Sequence, residues 1–417
     1  MKRVPLIALA GLSAIVLASC GASGSGGSLG IDRIAFIGPD GHLYTAKGDG
    51  SNAVSMTGDS LRELTSAGRR IENWPTWSPD GEWIAFSRIV VNGNTLADAA
   101  VVLVSSDARE ERSIQLFPQG VPIYMTWSPD SRLLTILAQL GESLQLQLVD
   151  VSQNPPVLQP PVEAGAPLFT SWSPDSTTLL AHVNGDSRTQ PRARLSQITA
   201  RGEGGAEPLP IQPGMFQTPA WAPDGSVWAF AAGTADGGDG LYLRRGARSD
   251  LLAQGIAPAF VWAPRDKRLA YALHQHAPDE PYAGLWVTDG SGAGQQIADD
   301  PLVAFFWSPD GKRLAYLSPD PAGLELFTID AGGQNRRSLA IFSPTNDFTQ
   351  LVSFFDQYAQ THTIWSPDSQ RVLFTGTRTA GNGSSNNPHV FVASADGSSP
   401  PRQIADGTIA FWSHAPR

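Results

Sequence analysis

The chain has 417 residues and a formal net charge of −10 at pH 7, with 39 acidic and 29 basic side chains. Its longest basic runs are pairs such as Arg244-Arg245 and Arg336-Arg337, which argues against the clustered basic face of a nucleic-acid partner. The length would ordinarily predict two or three domains, unless the chain is built from repeats. The single cysteine leaves no second thiol to mispair, which fits an oxidising compartment.

Residues 1–19 predict a secretory signal peptide. Lys2 and Arg3 form a positive start, and the apolar run 4–17 is too short to span a membrane. The segment that ends at Cys20 (Leu-Ala-Ser-Cys) resembles the bacterial lipobox, whose cysteine receives lipid. We therefore expect lipidation at Cys20 and then a Gly/Ser tether to residue 30 with a mean reach of about 17 Å. The alternative is an ordinary signal peptide with a chance cysteine.

The sequence after the tether is dominated by a repeated tetrapeptide, formed by tryptophan, a small residue, proline and usually aspartate. Successive tryptophans are 50, 45, 49, 41, 45, 58 and 47 residues apart. A repeat of that length with one tight turn per copy is typical of a β-propeller blade. The repeat tryptophans are Trp77, Trp127, Trp172, Trp221, Trp262, Trp307, Trp365 and, in a truncated last copy, Trp412.

Each repeat also predicts its strands. A nearly continuous apolar run follows the turn, as at residues 84–86, and indicates a strand buried on both faces, as stacked blades require. An alternating strand and a short polar outer strand come next. We predict an all-β fold, a propeller of eight four-stranded blades that forms one domain over residues 31–417. Seven blades is the alternative, if the fourth unit at 167–210 fails to form.

The two ends of this region are complementary halves of one repeat. Residues 33–36 match the second strand of a blade with no first strand before them, whereas residues 409–412 match a first strand with no second strand after them. We therefore expect the C-terminal strand to close the first blade.

The longest spacing contains a predicted helical insertion at 345–358, between the seventh and eighth blades. Asn346 is placed to cap it, and an apolar stripe recurs at helical spacing. We expect this stripe to plug or cap the propeller, while Phe354 and Gln357 face outward or over the channel mouth. The stripe consists of Phe348, Leu351, Val352, Phe355 and Tyr358. Because long insertions are often functional, Phe354, Gln357 and Tyr358 are the candidate binding residues.

Catalytic chemistry finds little support in the sequence. The only Gly-x-Ser-x-Gly match lies in the tether at 26–30, and the repeats leave no room for a hydrolase domain. His274 and His276 are candidate metal ligands, because i and i+2 side chains of a strand point the same way, although no third ligand is defined. The alternative there is an exposed polar loop. We expect no catalytic residue, no cofactor and no enzyme activity.

The turn and apolar strand at 77–86 and 307–316 resemble the propeller repeat of TolB and its relatives. This resemblance covers residues 31–417 and implies a periplasmic, non-enzymatic propeller that binds protein partners at its surface. TolB proteins also have an N-terminal α/β domain and a soluble mature form. Here the blades are expected directly after the tether, and Cys20 predicts a lipoprotein. The resemblance therefore implies a fold, a compartment and a binding role, without implying TolB's own partners.

Together these features predict a monomeric, lipid-anchored extracytoplasmic scaffold for envelope protein or peptide partners, on the periplasmic or outer cell surface. It would bind no nucleic acid and would contact the membrane only through its anchor. The alternative is a small-ligand-binding or enzymatic propeller of the lyase or lactonase type that uses the central channel. Polar residues near the starts of the inner strands fit both functions: Thr76, Thr126, Thr170 and Thr218.

Overall fold

The computed structural model describes residues 32–57, 68–116, 118, 120–201, 205–359, 361–378 and 387–415. Within these ranges the chain forms antiparallel sheets, most of them made of four consecutive strands, as propeller blades are. The predicted signal peptide, Cys20 and the tether lie outside the described residues. Neither of the two helices in this part of the chain is long and apolar enough to cross a membrane.

The first four blades follow the order of the chain. Blade 1 contains β1 (Arg33–Ile37), β2 (Leu43–Lys47), β3 (Val54–Ser55) and the C-terminal β32 (Ile409–Trp412). Blade 2 contains β4 (Arg69–Trp77), β5 (Trp83–Asn92), β6 (Thr95–Ser105) and β7 (Glu111–Gln115). Blade 3 contains β8 (Val121–Trp127), β9 (Leu133–Leu140), β10 (Ser143–Asp150), β11 (Val157–Leu158) and β12 (Glu163–Ala164). Blade 4 contains β13 (Leu168–Trp172), β14 (Thr178–Val183), β15 (Arg194–Thr199) and β16 (Ala206–Pro208).

The last four blades include a long irregular connection before blade 5 and the helical insertion before blade 8. Blade 5 contains β17 (Ala220–Trp221), β18 (Trp228–Gly233), β19 (Asp239–Arg245) and β20 (Arg248–Gln254). Blade 6 contains β21 (Ile256–Trp262), β22 (Leu269–His274), β23 (Leu285–Thr288) and β24 (Gln295–Ala298). Blade 7 contains β25 (Ala304–Trp307), β26 (Arg313–Asp320), β27 (Gly323–Asp330) and β28 (Arg337–Pro344). Blade 8 contains β29 (Arg371–Thr377), β30 (His389–Ser394) and β31 (Arg402–Asp406).

Blade 8 differs from the others in its inner strand and in its connection to blade 7. Its inner strand is reduced to two isolated bridges, from Thr363 to Trp412 and from Trp365 to Val372. A two-residue pairing of β28 with β29 joins blades 7 and 8 into one seven-stranded sheet. The described strands therefore form eight units, which fits the predicted blade number, and the fourth unit is a complete four-stranded sheet.

The first blade is closed by the C-terminus, as the complementary halves predict. β1 pairs antiparallel with β32, from Ile34 opposite Trp412 to Ile37 opposite Ile409. Beyond this ladder, the backbone N–H of Ser413 donates to the carbonyl of Arg33 at 2.8 Å. The two ends of the domain are thus held in one sheet, so no inner strand edge is left open at the junction.

The repeated turns lock onto one another around the ring. Ser78 Oγ donates to Asp80 Oδ1 at 2.6 Å, within the turn that follows Trp77. The next position takes a left-handed φ in six of the turns, with 73° at Gly81 and 61° at Ser131, but not at Asp266 of blade 6. Ser131 Oγ accepts from the backbone N–H of Asp80 in the neighbouring blade at 3.1 Å. The serine that replaces glycine therefore links blade 3 to blade 2, which offsets its backbone strain.

Candidate binding sites in the central channel

The insertion between blades 7 and 8 consists of two short helices, α1 (Asn346–Ser353) and α2 (Phe355–Tyr358). Thr345, rather than the predicted Asn346, is the N-cap, and its hydroxyl accepts from the backbone N–H of Phe348 at 3.0 Å. The helix breaks at Phe354, whose φ of −127° and ψ of 33° are not helical. The predicted single helix is therefore two, and the break changes the direction of the chain between them.

The insertion plugs the channel, because the predicted apolar stripe is buried against inner strands of several blades. Phe355 packs against Phe305 and Phe306 of blade 7, with ring centroids 4.8 and 6.2 Å away, and edge-on to Tyr282 of blade 6 at 6.1 Å. Every stripe residue is at most 7% exposed. We call residues 346–358 the plug.

On the opposite side of the channel, Tyr358 lies in a cluster of aromatic rings from three other blades. It stacks on Trp74 with centroids 4.7 Å apart and meets Tyr124 edge-on at 5.1 Å. His362 adds a fourth ring, 5.2 Å from Tyr358 and 4.5 Å from Phe411. Burial, with a smaller contribution from His414, lowers the pKa of His362 to about 3, so this imidazole is neutral at physiological pH.

Two polar side chains of α2 bind the starts of inner strands. Gln357 Oε1 accepts from the backbone N–H of Thr170 at 3.0 Å, and its Nε2 donates to the Thr170 carbonyl at 2.9 Å. Asp356 Oδ2 accepts from the backbone N–H of Thr218 at 2.9 Å. Burial raises the pKa of the Asp356 carboxyl above its ordinary value, although the hydrogen bonds oppose this shift.

These contacts correct two of our sequence-based expectations. Gln357 does not face outward or over the channel mouth, since it is 2% exposed and its amide is bonded inside the ring. Tyr358, a predicted binding residue, is buried as well and has no free face for a partner. The physical reason is that inner strands surround α2 on all sides, so that its polar residues are enclosed with its apolar ones. Phe354 alone of the three is exposed, at 44%.

Phe354 belongs to a small aromatic cluster at the face of the propeller where the inner strands begin. Its ring meets that of Phe169 edge-on at 5.8 Å, and Phe169 lies 4.4 Å from Phe216. Phe169 and Phe216 are both partly exposed. We call Phe169, Phe216 and Phe354 the aromatic patch. Whether it binds a partner stays a prediction.

A cavity of about 590 Å³ occupies the rest of the channel. Its floor is formed by residues that follow the plug, including Ala359, Thr361 and His362, and its mouth is formed by the prolines of the repeated turns. Of the four predicted channel threonines, Thr76, Thr126 and Thr170 line it, whereas Thr218 is not part of its wall. This volume is in the range of small-molecule sites. Its wall also includes six repeat tryptophans: Trp77, Trp127, Trp172, Trp221, Trp262 and Trp307.

Some of the repeat tryptophans form a hydrogen bond to the preceding blade, and others do not. The indole N–H of Trp127 donates to the Thr76 carbonyl of the preceding blade at 3.1 Å, and Trp307 makes the same bond to Val261 at 2.9 Å. Trp262 and Trp365 do likewise. The other four repeat tryptophans, all within the described residues, have buried indole nitrogens with no such partner: Trp77, Trp172, Trp221 and Trp412.

The predicted metal ligands are not assembled into a site. His274 is buried and lies 4.0 Å from Tyr282 between ring centroids, while His276 is exposed and its Nδ1 is 3.4 Å from Glu280. Across the part of the chain that the structure describes, no group of three or more His, Cys, Asp or Glu side chains could hold a metal ion.

Sequence reasoning missed most of the residues that enclose the plug, although a positional signal for them exists. The residue three positions before the repeat tryptophan is large in several blades and faces the plug: Trp74, Tyr124, Phe169 and His362. A second signal is arginine six positions after the tryptophan. Arg268, Arg313 and Arg371 lie over the next repeat tryptophan at 5.5, 5.6 and 4.9 Å, as cation–π pairs between blades.

Comparison with known proteins supports the fold and nothing finer. No family model matches the chain, and none of the curated proteins matches it significantly. Among solved structures, the β-propeller domain of the trilobed protease from Pyrococcus furiosus is similar, with a TM-score of 0.52, 11% identity, and coverage of 82% of this chain and 98% of that one. TolB from Acinetobacter baumannii is also similar, with a TM-score of 0.39, 15% identity, and coverage of 72% and 62%.

One comparison corrects the expectation that the chain is not an enzyme. Prolyl endopeptidases match with a TM-score of 0.56 and 12% identity, over 83% of this chain and 50% of theirs. Enzymes therefore share this fold, and the inference from propeller repeats to a non-enzymatic protein is wrong. At this identity the likeness shows the fold alone, and the chain spans only half the length of those endopeptidases and about three fifths of TolB.

Proposed function

We propose that this chain is a lipid-anchored, extracytoplasmic β-propeller that binds a protein or peptide partner of the bacterial envelope through the aromatic patch. The observation that carries the proposal is the exposure of Phe354, at 44%, on a segment that the repeat does not require. The other apolar residues of the insertion are buried, so a stabilising role accounts for them but not for an exposed phenylalanine. Exposed aromatic side chains that lie together are common anchors of protein interfaces.

The cellular location in this proposal rests on the leader. Cys20 ends a segment of lipobox form, and the Gly/Ser tether after it would hold the propeller about 17 Å from the membrane. A chain with Cys20→Ser should move from the membrane to the soluble fraction when cells are fractionated. Unchanged membrane association would contradict the anchor while leaving the patch untouched.

Partner binding is tested separately from anchoring. The full-length protein, its Phe354→Ala variant and a Leu251→Ala control are cross-linked in envelope preparations and purified. Leu251 is 47% exposed on the outer strand β20, so it matches Phe354 in exposure but lies at the rim. A partner retained by the wild type and the control but lost from Phe354→Ala supports the proposal. Equal retention by all three proteins contradicts it.

A further inference from the structure

The wall of the central cavity carries an unusual charge distribution for an acidic protein. Among the described residues no Asp or Glu side chain lines it, and Arg265 is the only lysine or arginine in its wall. Arg265 stands where the other complete copies of the repeat have aspartate. Its Nε donates to the Pro309 carbonyl at 2.9 Å, and among the described residues it has no ion pair. The adjacent Asp266 is paired with Arg268 instead, at 2.6 Å.

The aspartates of the other turns are engaged within the turns themselves. Asp310 Oδ1, for example, accepts from Ser308 Oγ at 2.7 Å and from the backbone N–H of Lys312 at 3.0 Å. Asp224, in the blade next to Arg265, is paired with Lys267 at 2.6 Å. Neither Asp224 nor Asp310 lines the cavity. Among the described residues, no carboxylate forms an ion pair with Arg265.

Two of the repeat tryptophans in the cavity wall are partly exposed, Trp172 of blade 4 and Trp221 of blade 5. Arg265 belongs to blade 6, which follows them in the ring. Their indole nitrogens are buried, so the exposed part of each tryptophan is ring carbon. This side of the cavity thus combines the surfaces of two aromatic rings with a cation, and among the described residues no carboxylate lines it.

We propose that the cavity binds a small organic anion, whose apolar ring lies against Trp172 and Trp221 and whose acidic group meets the Arg265 guanidinium. Guanidinium groups bind carboxylates in a fork geometry, and aromatic rings pack favourably against one another. This site lies at the face where the inner strands end, whereas the aromatic patch lies where they begin. It is therefore independent of the proposed partner binding.

Two isosteric probes test the role of charge. Indole-3-acetate and indole-3-acetamide have nearly the same shape, but only the acetate is an anion at pH 7. Titration of the full folded chain, followed by ligand-detected NMR, should show binding of the acetate about tenfold or more tighter than of the amide, as expected for one charged hydrogen bond. Equal affinities would overturn the assignment of an anion, and absence of binding by both at millimolar concentration would overturn the site.

Variants then locate the site. Arg265→Asp introduces the acid that six other turns have at this position, so the variant should fold. Without the guanidinium, its affinity for indole-3-acetate should fall to that for indole-3-acetamide. Arg248→Asp makes the same charge change at the rim, where the side chain is 80% exposed, and should leave the affinity unchanged. Equal losses in both variants would mean that only net charge matters. That outcome would contradict a site at Arg265.

Discussion

Gln357 and Thr170, although 187 residues apart, form a pair in which a side-chain amide takes the place of a neighbouring strand. The amide oxygen accepts from the Thr170 N–H at 3.0 Å and the amide nitrogen donates to the Thr170 carbonyl at 2.9 Å. Both residues are buried. This pair fixes the plug to blade 4 and satisfies backbone groups that would otherwise be unpaired inside the channel.

Removing that amide should destabilise the fold. Gln357→Ala leaves a buried N–H and a buried C=O without partners, which we expect to cost about 2–6 kcal/mol at roughly 1–3 kcal/mol per group. Urea unfolding followed by tryptophan fluorescence measures the change. Ser353→Ala is the control, because Ser353 is exposed in the same insertion and should change stability by about 0.5 kcal/mol or less. Equal effects of both substitutions would mean that the pair contributes nothing.

Adjacent phenylalanines of the plug should respond differently to truncation. Phe355→Ala removes a ring that is 3% exposed, with an expected cost of about 3–5 kcal/mol. Phe354→Ala should cost about 1 kcal/mol or less, as at surface sites. The comparison uses the same unfolding titration at one pH. Large and equal losses would show that Phe354 supports the plug, and its assignment to a binding patch would then be withdrawn.

Closure by β32 predicts that the end of the chain is indispensable. A chain that ends at Asp406 leaves the edge of β1 unpaired and exposes the apolar faces of blades 2 and 8 that pack against β32. We expect aggregation or a large drop in melting temperature, seen by size-exclusion chromatography and thermal unfolding. A chain that ends at Ala415 serves as the control. Identical melting of the two truncated chains would contradict closure.

The buried carboxylate of Glu72 links blade 1 to blade 2. Its Oε2 accepts from the Leu43 N–H at 2.9 Å and from Thr57 Oγ1 at 2.5 Å, while Arg70 Nε donates to Oε1 at 2.8 Å. Glu72→Ala leaves the buried Arg70 without this counter-charge and should cost about 3–5 kcal/mol.

The matched control for Glu72 is Glu111. Glu111 also pairs with an arginine, Arg88, but the Glu111 side chain is 43% exposed. Glu111→Ala should cost about 1 kcal/mol or less, because solvent screens the partly exposed Glu111 carboxylate and Arg88 keeps its contact with Glu72 at 3.2 Å. Both variants are compared with the wild type by urea unfolding at pH 7. A loss at Glu72 no larger than that at Glu111 would show that the buried network does not hold the two blades together.

His362 predicts a dependence of stability on pH. Its pKa is lowered to about 3 in the fold, whereas an unfolded histidine has a pKa of about 6.5. Between these values the unfolded chain binds a proton that the folded chain does not, so the free energy of unfolding should fall as pH decreases from about 6.5 toward 3. One such proton contributes up to about 1.4 kcal/mol per pH unit.

His362→Phe keeps an aromatic ring in the cluster and removes this titration. The free energy of unfolding of the variant minus that of the wild type should increase steadily as the pH is lowered from 7 to 4. Urea unfolding at several pH values gives the difference. His276→Gln, at an exposed side chain, should follow the wild-type curve. A constant difference between His362→Phe and the wild type at all pH values would contradict the buried neutral imidazole.

The sequence by itself determined the propeller. Each tryptophan turn and the apolar strand after it carry their own local signal, and Ile34 and Trp412 could be assigned to one blade because their segments are complementary halves of a repeat. The helical period of the insertion likewise predicted which of its apolar residues would be buried. These features depend on contacts within a repeat or between identical neighbours, so the pattern of residues specifies them.

Only the tertiary structure decided how the plug sits. Helical periodicity distinguishes an apolar face from a polar one, but inside a ring of strands both faces of α2 are enclosed, and Gln357 is buried for that reason. Its partner Thr170 belongs to a blade far away in sequence, and no local pattern indicates that pairing. The same holds for the cavity, because its wall brings together Trp172, Trp221 and Arg265 from three different blades.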